Sequence, residues 1–274
     1  RCLSRGLGDV YKRQMLYYCT TSPTLIMITE SMKISDEQLE VFNIFKLINP
    51  SILLKPGQRV STISNNKNIM GVADFNTLNI PVKAPIYDLH VFLNTMNIVS
   101  GGERLKSDVD FQENLVNISH GRSKMKYYYA DERMITAPPD KLANLGDPVQ
   151  KVSIEYADFQ KMFNAAATYS LPDICFVADS GNLSAMVTDK RNSSSNVFTV
   201  DLGESDKEFC FCVKTENLRI VCPTLGGKSN IVSGYNVELY TSKVAKLSAI
   251  IKSTAKKELT NLELLVALEP DSEY

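Results

Sequence analysis

From Met32 onward the chain repeats one order of elements, and repetition on this scale fixes an architecture before any single motif does. Ser35 is placed to cap a helix, acids fill the turn after it, and Leu39, Phe42, Phe45 and Ile48 recur at helical spacing. The spacing predicts a helix over 36–48, closed by Pro50. Short extended runs follow, "SILLK", "RVSTIS", "IMGVADF" and "LNIPVKAPIY", parted by Pro56-Gly57 and "NNKN". At Asp88 the apolar residues switch to helical spacing (Leu89, Phe92, Leu93, Met96), which predicts a helix over 88–98. "LVNIS" and "SKMKYYYAD" then meet at His120-Gly121-Arg122.

After a Pro-rich stretch at 132–148 the order begins again. "KVSIEYADFQKMFNAAATY" reads as a strand entering a helix with the core stripe Phe159, Met162, Phe163 and Ala166, and "DICFVAD", "NLSAMVTD" and "NVFTVDL" follow as strands. A fourth unit, "EFCFCVKTENLRIV", is a strand running into a short helix, followed by "YNVELYTS", "KLSAIIKST" and "LELLVALE". Asp88 and Asp158 hold matching places as helix-start residues in an Asp-Φ-x-x-Φ-Φ pattern. The expected fold is α+β: two similar domains, each made of two strand–helix–strands repeats with its helices on one face of antiparallel sheets. The expected division is an N-terminal extension at 1–31, a first domain at 32–131, a connector at 132–148 and a second domain at 149–274.

The extension opens with "RCLSRGLGDVYKRQ", which has neither the apolar core of a signal peptide nor a packing period, and which reads like adapter-derived sequence. Residues 1–31 are therefore expected to be disordered or loosely attached, with Met32 as the natural start.

Composition narrows the function. With 274 residues, 44% hydrophobic and 22% charged, the chain fits an ordinary globular protein of one or two domains. A net charge of −1 excludes a protein that holds nucleic acid by bulk attraction. No apolar run reaches the roughly 18–20 residues of a membrane span, so no membrane partner is expected. Six Cys without a regular framework point to a reducing compartment and free thiols.

Enzyme motifs are weak. "LGGKSN" (225–230) lacks the first Gly of a phosphate-binding loop, since Cys222 stands there, and it reads as a surface turn. Cys210 and Cys212 share one strand face with Cys222 not far along, but zinc would need a matching ligand pair, and the two His (His90 and His120) lie in the other half. Buried free thiols and no metal are expected. Two His and no Gly-x-Ser-x-Gly leave little for catalysis, and no cofactor is implied. Tyr127, Tyr128 and Tyr129 could stack bases, yet on an alternating strand they divide between core and edge.

The outward helix faces share a character. They present Asn43 and Lys46; His90, Asn94 and Asn97; Lys161 and Asn164; and Lys214 with Arg219. After the first turns Glu40 is the one acid among them. Lightly basic, Asn-rich faces suit a surface that lies near a polyanion without gripping it, through contacts that carry no sequence information. The pattern alone leaves open a two-domain α+β protein whose helix faces are merely solvated.

"MKISDEQLEVFNIFKLINPSILLKPGQ", "APIYDLHVFLNTMN" and the closing "LLVALEPDSEY" resemble the sliding clamps of T-even-type bacteriophages, the DNA polymerase processivity factors. The similarity covers Met32 to Tyr274 and is weakest around 99–113, 189–207 and 222–260. The resemblance implies a non-enzymatic head-to-tail homotrimer that closes around double-stranded DNA, with the helices facing the duplex. It also implies a DNA polymerase and a clamp-loader ATPase as partners, factors of phage late transcription as further ones, and the host bacterial cytoplasm as location. The implied subunit edges are the strands at 123–130 (Lys124, Lys126, Tyr127, Tyr129) and 196–202 (Val197, Thr199, Asp201, with Glu204 beyond), where the two lysines would approach the two acids. A non-enzymatic phage assembly module of duplicated α+β domains is the competing reading, with a metal- or nucleotide-dependent enzyme behind it.

Overall fold

The computed structural model describes residues 31–139, 144–223 and 228–273. The expectation for 1–31 lies, apart from Ser31, outside the described residues, as does part of the 225–230 turn.

Helix α1 (Asp36–Ile48) begins where its cap dictates: the Ser35 hydroxyl accepts the Gln38 amide at 3.2 Å and the Gln38 side chain accepts the Ser35 amide at 3.1 Å. Its Phe42 and Phe45 are fully buried, each contributing about 1.5–3 kcal/mol of apolar burial. Helix α2 (Leu89–Val99) is capped by the Asp88 carboxylate, which accepts the Val91 amide at 2.8 Å. Helix α3 (Tyr156–Tyr169) starts earlier than its counterpart, so Asp158 lies inside the first turn and the position before the helix is Glu155. Helix α4 (Thr215–Leu218) is one turn long and runs on into a 3₁₀ turn at Arg219–Val221.

The strands form four sheets. In chain order they are β1 (Met32–Lys33), β2 (Ile52–Leu54), β3 (Arg59–Ile63), β4 (Ile69–Phe75), β5 (Ala84–Ile86), β6 (Asp108–Phe111), β7 (Leu115–His120) and β8 (Ser123–Tyr128). The second half adds β9 (Gln150–Glu155), β10 (Asp173–Asp179), β11 (Asn182–Thr188), β12 (Phe198–Glu204), β13 (Phe209–Lys214), β14 (Val232–Tyr240), β15 (Val244–Ile251) and β16 (Leu259–Ala267). One sheet runs β1-β6-β7-β8, one runs β12-β11-β10-β13, and β2 pairs with β5. The fourth takes strands from both halves, in the order β3-β4-β16-β15-β14-β9.

That six-stranded sheet positions everything else. β16 pairs antiparallel with β4 from Leu259↔Phe75 to Val266↔Ile69, and Leu262, Leu264 and Val266 are fully buried at the junction. Helix α1 lies on its inner face so closely that a Cβ on Gly71 would stand 2.7 Å from Phe45 Cε1, which explains glycine inside a strand. The repeat is visible in space: β9, α3, β10–β12, β13, α4 and β14–β16 follow the same order as β1, α1, β2–β4, β5, α2 and β6–β8.

The free-thiol expectation fails for one pair. Cys175 on β10 stands directly opposite Cys212 on β13, with Cα atoms 4.1 Å apart, and the two sulfurs are bonded. The short Cα separation is that of a non-hydrogen-bonded antiparallel pair, which points both side chains the same way. Cys210 and Cys222 are free thiols, half-buried and buried.

Candidate nucleic-acid face and assembly edges

Four helical elements turn one face away from the sheets, and the anticipated residues are distributed unevenly among them. On α1, Asn43 and Lys46 are half-buried. Burial and the nearby Arg104 hold the Lys46 ammonium below the usual lysine range. On α2, exposed His90 meets the Asn94 amide at 2.9 Å through its Nε2, and the Asn94 carbonyl accepts Arg104 Nη2 at 3.3 Å. Asn97 is half-buried. Lys46, Asn94 and Arg104 thus form one group, and no carboxylate among the described residues pairs with either cation.

Arg104 escaped sequence reasoning because it follows the helix. Gly101 and Gly102, both at positive φ, turn the chain back so that the 3₁₀ turn at Arg104–Lys106 lies against α2. The same face is more apolar than expected, since Val91 and Ile98 are exposed, Ile98 by 78%.

In the second half, Lys161 is exposed and paired with Asp158 at 2.8 Å, beside exposed Asn164. Lys214 is committed to the fold: its Nζ lies 2.6 Å from Oδ1 of fully buried Asp173 and 3.9 Å from Glu269, and these contacts raise its pKa. Arg219 is exposed, and with Lys214 it lines a hollow of about 340 Å³ at the end of α3. Glu40 is occupied elsewhere, accepting hydrogen bonds from Ser229 and Asn230.

Strands β8 and β12 each stand at one end of a four-stranded sheet. On β8, Met125 and Tyr127 share the inner face with Ile118 and Val116, while Lys124, Lys126 and Tyr128 face outward. The Tyr127 ring meets Phe92 edge-on at 5.5 Å and its hydroxyl donates to the Asp88 carbonyl at 3.3 Å, so this tyrosine braces α2. Just past the strand, burial and Asp110 push the pKa of half-buried Tyr129 well above its ordinary value. On β12, Phe198, Val200 and Leu202 are half-buried against the core, and Thr199 and Asp201 point out, with exposed Val197 just before the strand. A bulge near Gly203 lets Asp201 and Glu204, three residues apart, share the outer face. The inner residues Met125, Phe198, Val200 and Leu202 were missed, because their signal lies in which strand stays unpaired.

On the outer face of the six-stranded sheet, a hollow of about 230 Å³ lies among apolar Leu53, Pro56, Met70, Val72, Pro138 and Pro139, with Lys55, Arg59 and Ser61 also in its lining.

Known proteins resemble this arrangement. The sliding clamp of Vibrio phage KVP40 is 31% identical over 197 residues, covering 69% of this chain and 86% of the relative. This chain belongs to the sliding clamp family. The sliding clamp of Enterobacteria phage T4 is 24% identical over 201 residues, covering 69% of this chain and 83% of its own length. No family model matches the chain. Among solved structures, A. fulgidus PCNA bound to the C-terminal region of FEN-1 superposes with a TM-score of 0.63 at 17% identity, over 89% of this chain and 99% of that one. PCNA of Entamoeba histolytica gives 0.62 at 12% identity, covering 89% of this sliding clamp and 100% of its own chain. The H. pylori β clamp gives 0.60 at 10%, covering 88% of this chain and 65% of its own. The fold is the DNA clamp fold that the resemblance implied.

Proposed function

We propose that three copies of this sliding clamp close head to tail around duplex DNA and tether the replicative polymerase, with no reaction of their own. One observation carries the reading: the chain already contains a finished version of the joint it would make with its neighbour. In the repeat, β16 corresponds to β8 and β4 to β12, and β16 pairs with β4 inside the chain while β8 and β12 stay open. At the finished joint Leu262 and Leu264 are fully buried; at the open edges Met125 is 51% exposed and Phe198, Val200 and Leu202 are half-buried. Pairing β8 of one copy with β12 of the next covers this apolar row and places Lys124 and Lys126 beside Asp201 and Glu204. Such an interface is heterologous, and it gives a ring in place of an open filament when the rotation between copies closes, which this reading puts at three copies.

The helix faces then look inward. Lys46, Arg104, Lys161 and Arg219, with His90, Asn43, Asn94, Asn97 and Asn164, supply weak and movable phosphate contacts, while the ring retains DNA by enclosure. Lys214 contributes mainly by holding Asp173. The hollow bounded by Pro138 and Pro139, apolar with Lys55 and Arg59 in its lining, suits a hydrophobic peptide tail of the polymerase that also carries an acid. A clamp-loader ATPase and late-transcription factors complete the expected partners, in the host cytoplasm. Two domains, 32–131 and 149–274, joined by the 132–148 connector, supply six like units around the hole.

Light scattering tests the joint. The protein is expected at three times its chain mass, K124E/K126E should shift it toward monomer, and adding D201K/E204K should partly restore it. A monomer at micromolar concentration, or no response to the first pair, removes the proposal.

A further inference from the structure

The outer face of the β12-β11-β10-β13 sheet carries a cluster that ring closure and DNA contact leave unused. Cys210 and Cys212 are two apart on β13 and point the same way, and Cys175 faces Cys212 from β10. Their three Sγ atoms lie within 4.8 Å of one another, with Cys210 Sγ 3.7 Å from Cys212 Sγ. Two sulfurs on a tetrahedral zinc, each about 2.3 Å from the metal, stand about 3.8 Å apart. The sheet therefore holds two donors at ligand spacing and brings the third beside them through strand register.

The C-terminal segment closes over this cluster. Glu269 N donates to the Cys212 carbonyl at 2.7 Å, the Ser272 hydroxyl accepts the Cys212 amide at 3.0 Å, and Glu273 exchanges both backbone hydrogen bonds with Cys210 at 2.9 Å. Lys190 pairs with Asp271 on the same segment. Cys175 and Cys212 are buried beneath it, and half-buried Cys210 leaves an approach from solvent. Cys222 is separate, its thiol directed at the Tyr156 carbonyl.

We infer that Cys175, Cys210 and Cys212 form a three-thiolate site for one thiophilic divalent cation of the zinc class, available when the Cys175–Cys212 bond is reduced and closed when it is oxidised. A dithiol or phosphine reductant supplies two electrons, two protons are taken up, and the Cys175–Cys212 bond breaks to two thiols while the reductant becomes a disulfide or a phosphine oxide. Binding then releases three protons, and the three thiolates with the cation carry one net negative charge, two if a carboxylate joins them, beside the Lys190 ammonium. The fourth position falls to an oxygen donor, the Glu273 carboxylate or water. The bound ion ties β10 to β13 beneath the C-terminal segment.

The test uses the full chain with Cys2 and Cys19 changed to Ser. The protein is reduced anaerobically by a trialkylphosphine, which takes up oxygen from water to become the phosphine oxide, and is freed of reagent. Co²⁺ titration is expected to give thiolate-to-metal charge-transfer absorption saturating at one equivalent, abolished by one equivalent of Zn²⁺. C210S should weaken binding at least tenfold, and C222S should leave it unchanged. C210S removes a half-exposed thiol, so circular dichroism should show an intact fold. No charge-transfer band at one equivalent, an undiminished band in C210S, or equal binding by the oxidised protein overturns the assignment.

Discussion

Glu40 on α1 accepts the Ser229 hydroxyl hydrogen at 2.5 Å, and its second oxygen accepts the Asn230 amide at 3.2 Å. These contacts fasten the first helix to the segment before β14, and they occupy the one acid that the anticipated outward faces carry beyond their first turns. E40A should lower stability by about 1 kcal/mol, a few degrees in Tm. S229A should cost a similar amount, and the double variant less than the sum. Additive losses in thermal unfolding would show that the two groups do not share one interaction.

The inward cations should act as a set. K46E/R104E/K161E/R219E is expected to abolish stimulation of the polymerase while light scattering still finds the closed oligomer. Single changes should do little, because each phosphate contact is a small share of a salt-dependent sum. Full stimulation by the quadruple variant would remove the helices from the DNA face.

Lys214 should behave differently from Lys161. K214M strands the fully buried Asp173 carboxylate and should cost on the order of 3 kcal/mol. K161M breaks an exposed pair and should leave the unfolding midpoint where it was. Equal denaturation midpoints for both variants would contradict this.

Cys222 should be silent to alkylation. Burial pushes its thiol up to about 12, and thiolate is the reactive form. Burial raises the Cys210 thiol too, but that residue is only half-buried, so iodoacetamide at pH 8 should modify Cys210 in the reduced native protein and reach Cys222 only in denaturant, as read by peptide mass spectrometry. Labelling of both at one rate would mean that the Cys222 site opens freely.

Asp74 should give a small acid-dependent contribution. The hydrogen bond from Arg59 holds its carboxyl below the usual range, so the stabilisation is present above the unfolded pKa and fades as pH falls through the folded one. Arg59 is largely exposed, so solvent screening limits the pair to under about 1 kcal/mol. The Tm gap between wild type and D74N should therefore be present at neutral pH and close toward pH 3. A gap that widens on acidification would reverse the assignment.

What the sequence made legible follows from what periodicity reports. It says which face a residue takes, so α1 begins at Asp36 behind its Ser35 cap, and α2 follows Asp88, as expected. It does not say which strand a strand will pair with. The β4–β16 junction joins residues nearly two hundred positions apart, and the Cys175–Cys212 contact depends on register across β10 and β13. Arg104 was hidden for a related reason: a turn at Gly101-Gly102 carries it back beneath α2, beyond any helical period. The β12 strand runs to Glu204, two residues past the expected end, because a bulge near Gly203 extends the pairing there, and it starts at Phe198, which pairs with Val187.

In the proposed ring, the β4–β16 junction is one of two kinds of seam that stretching would load. Seven residue pairs and a fully buried leucine row make it the stronger of two similar seams, and it is covalently backed by the chain on either side. The seam proposed between copies would have six residues of β8 to offer and an apolar row less deeply covered. Hoop tension in that proposed ring would therefore part neighbours before it parted β4 from β16 within a protomer.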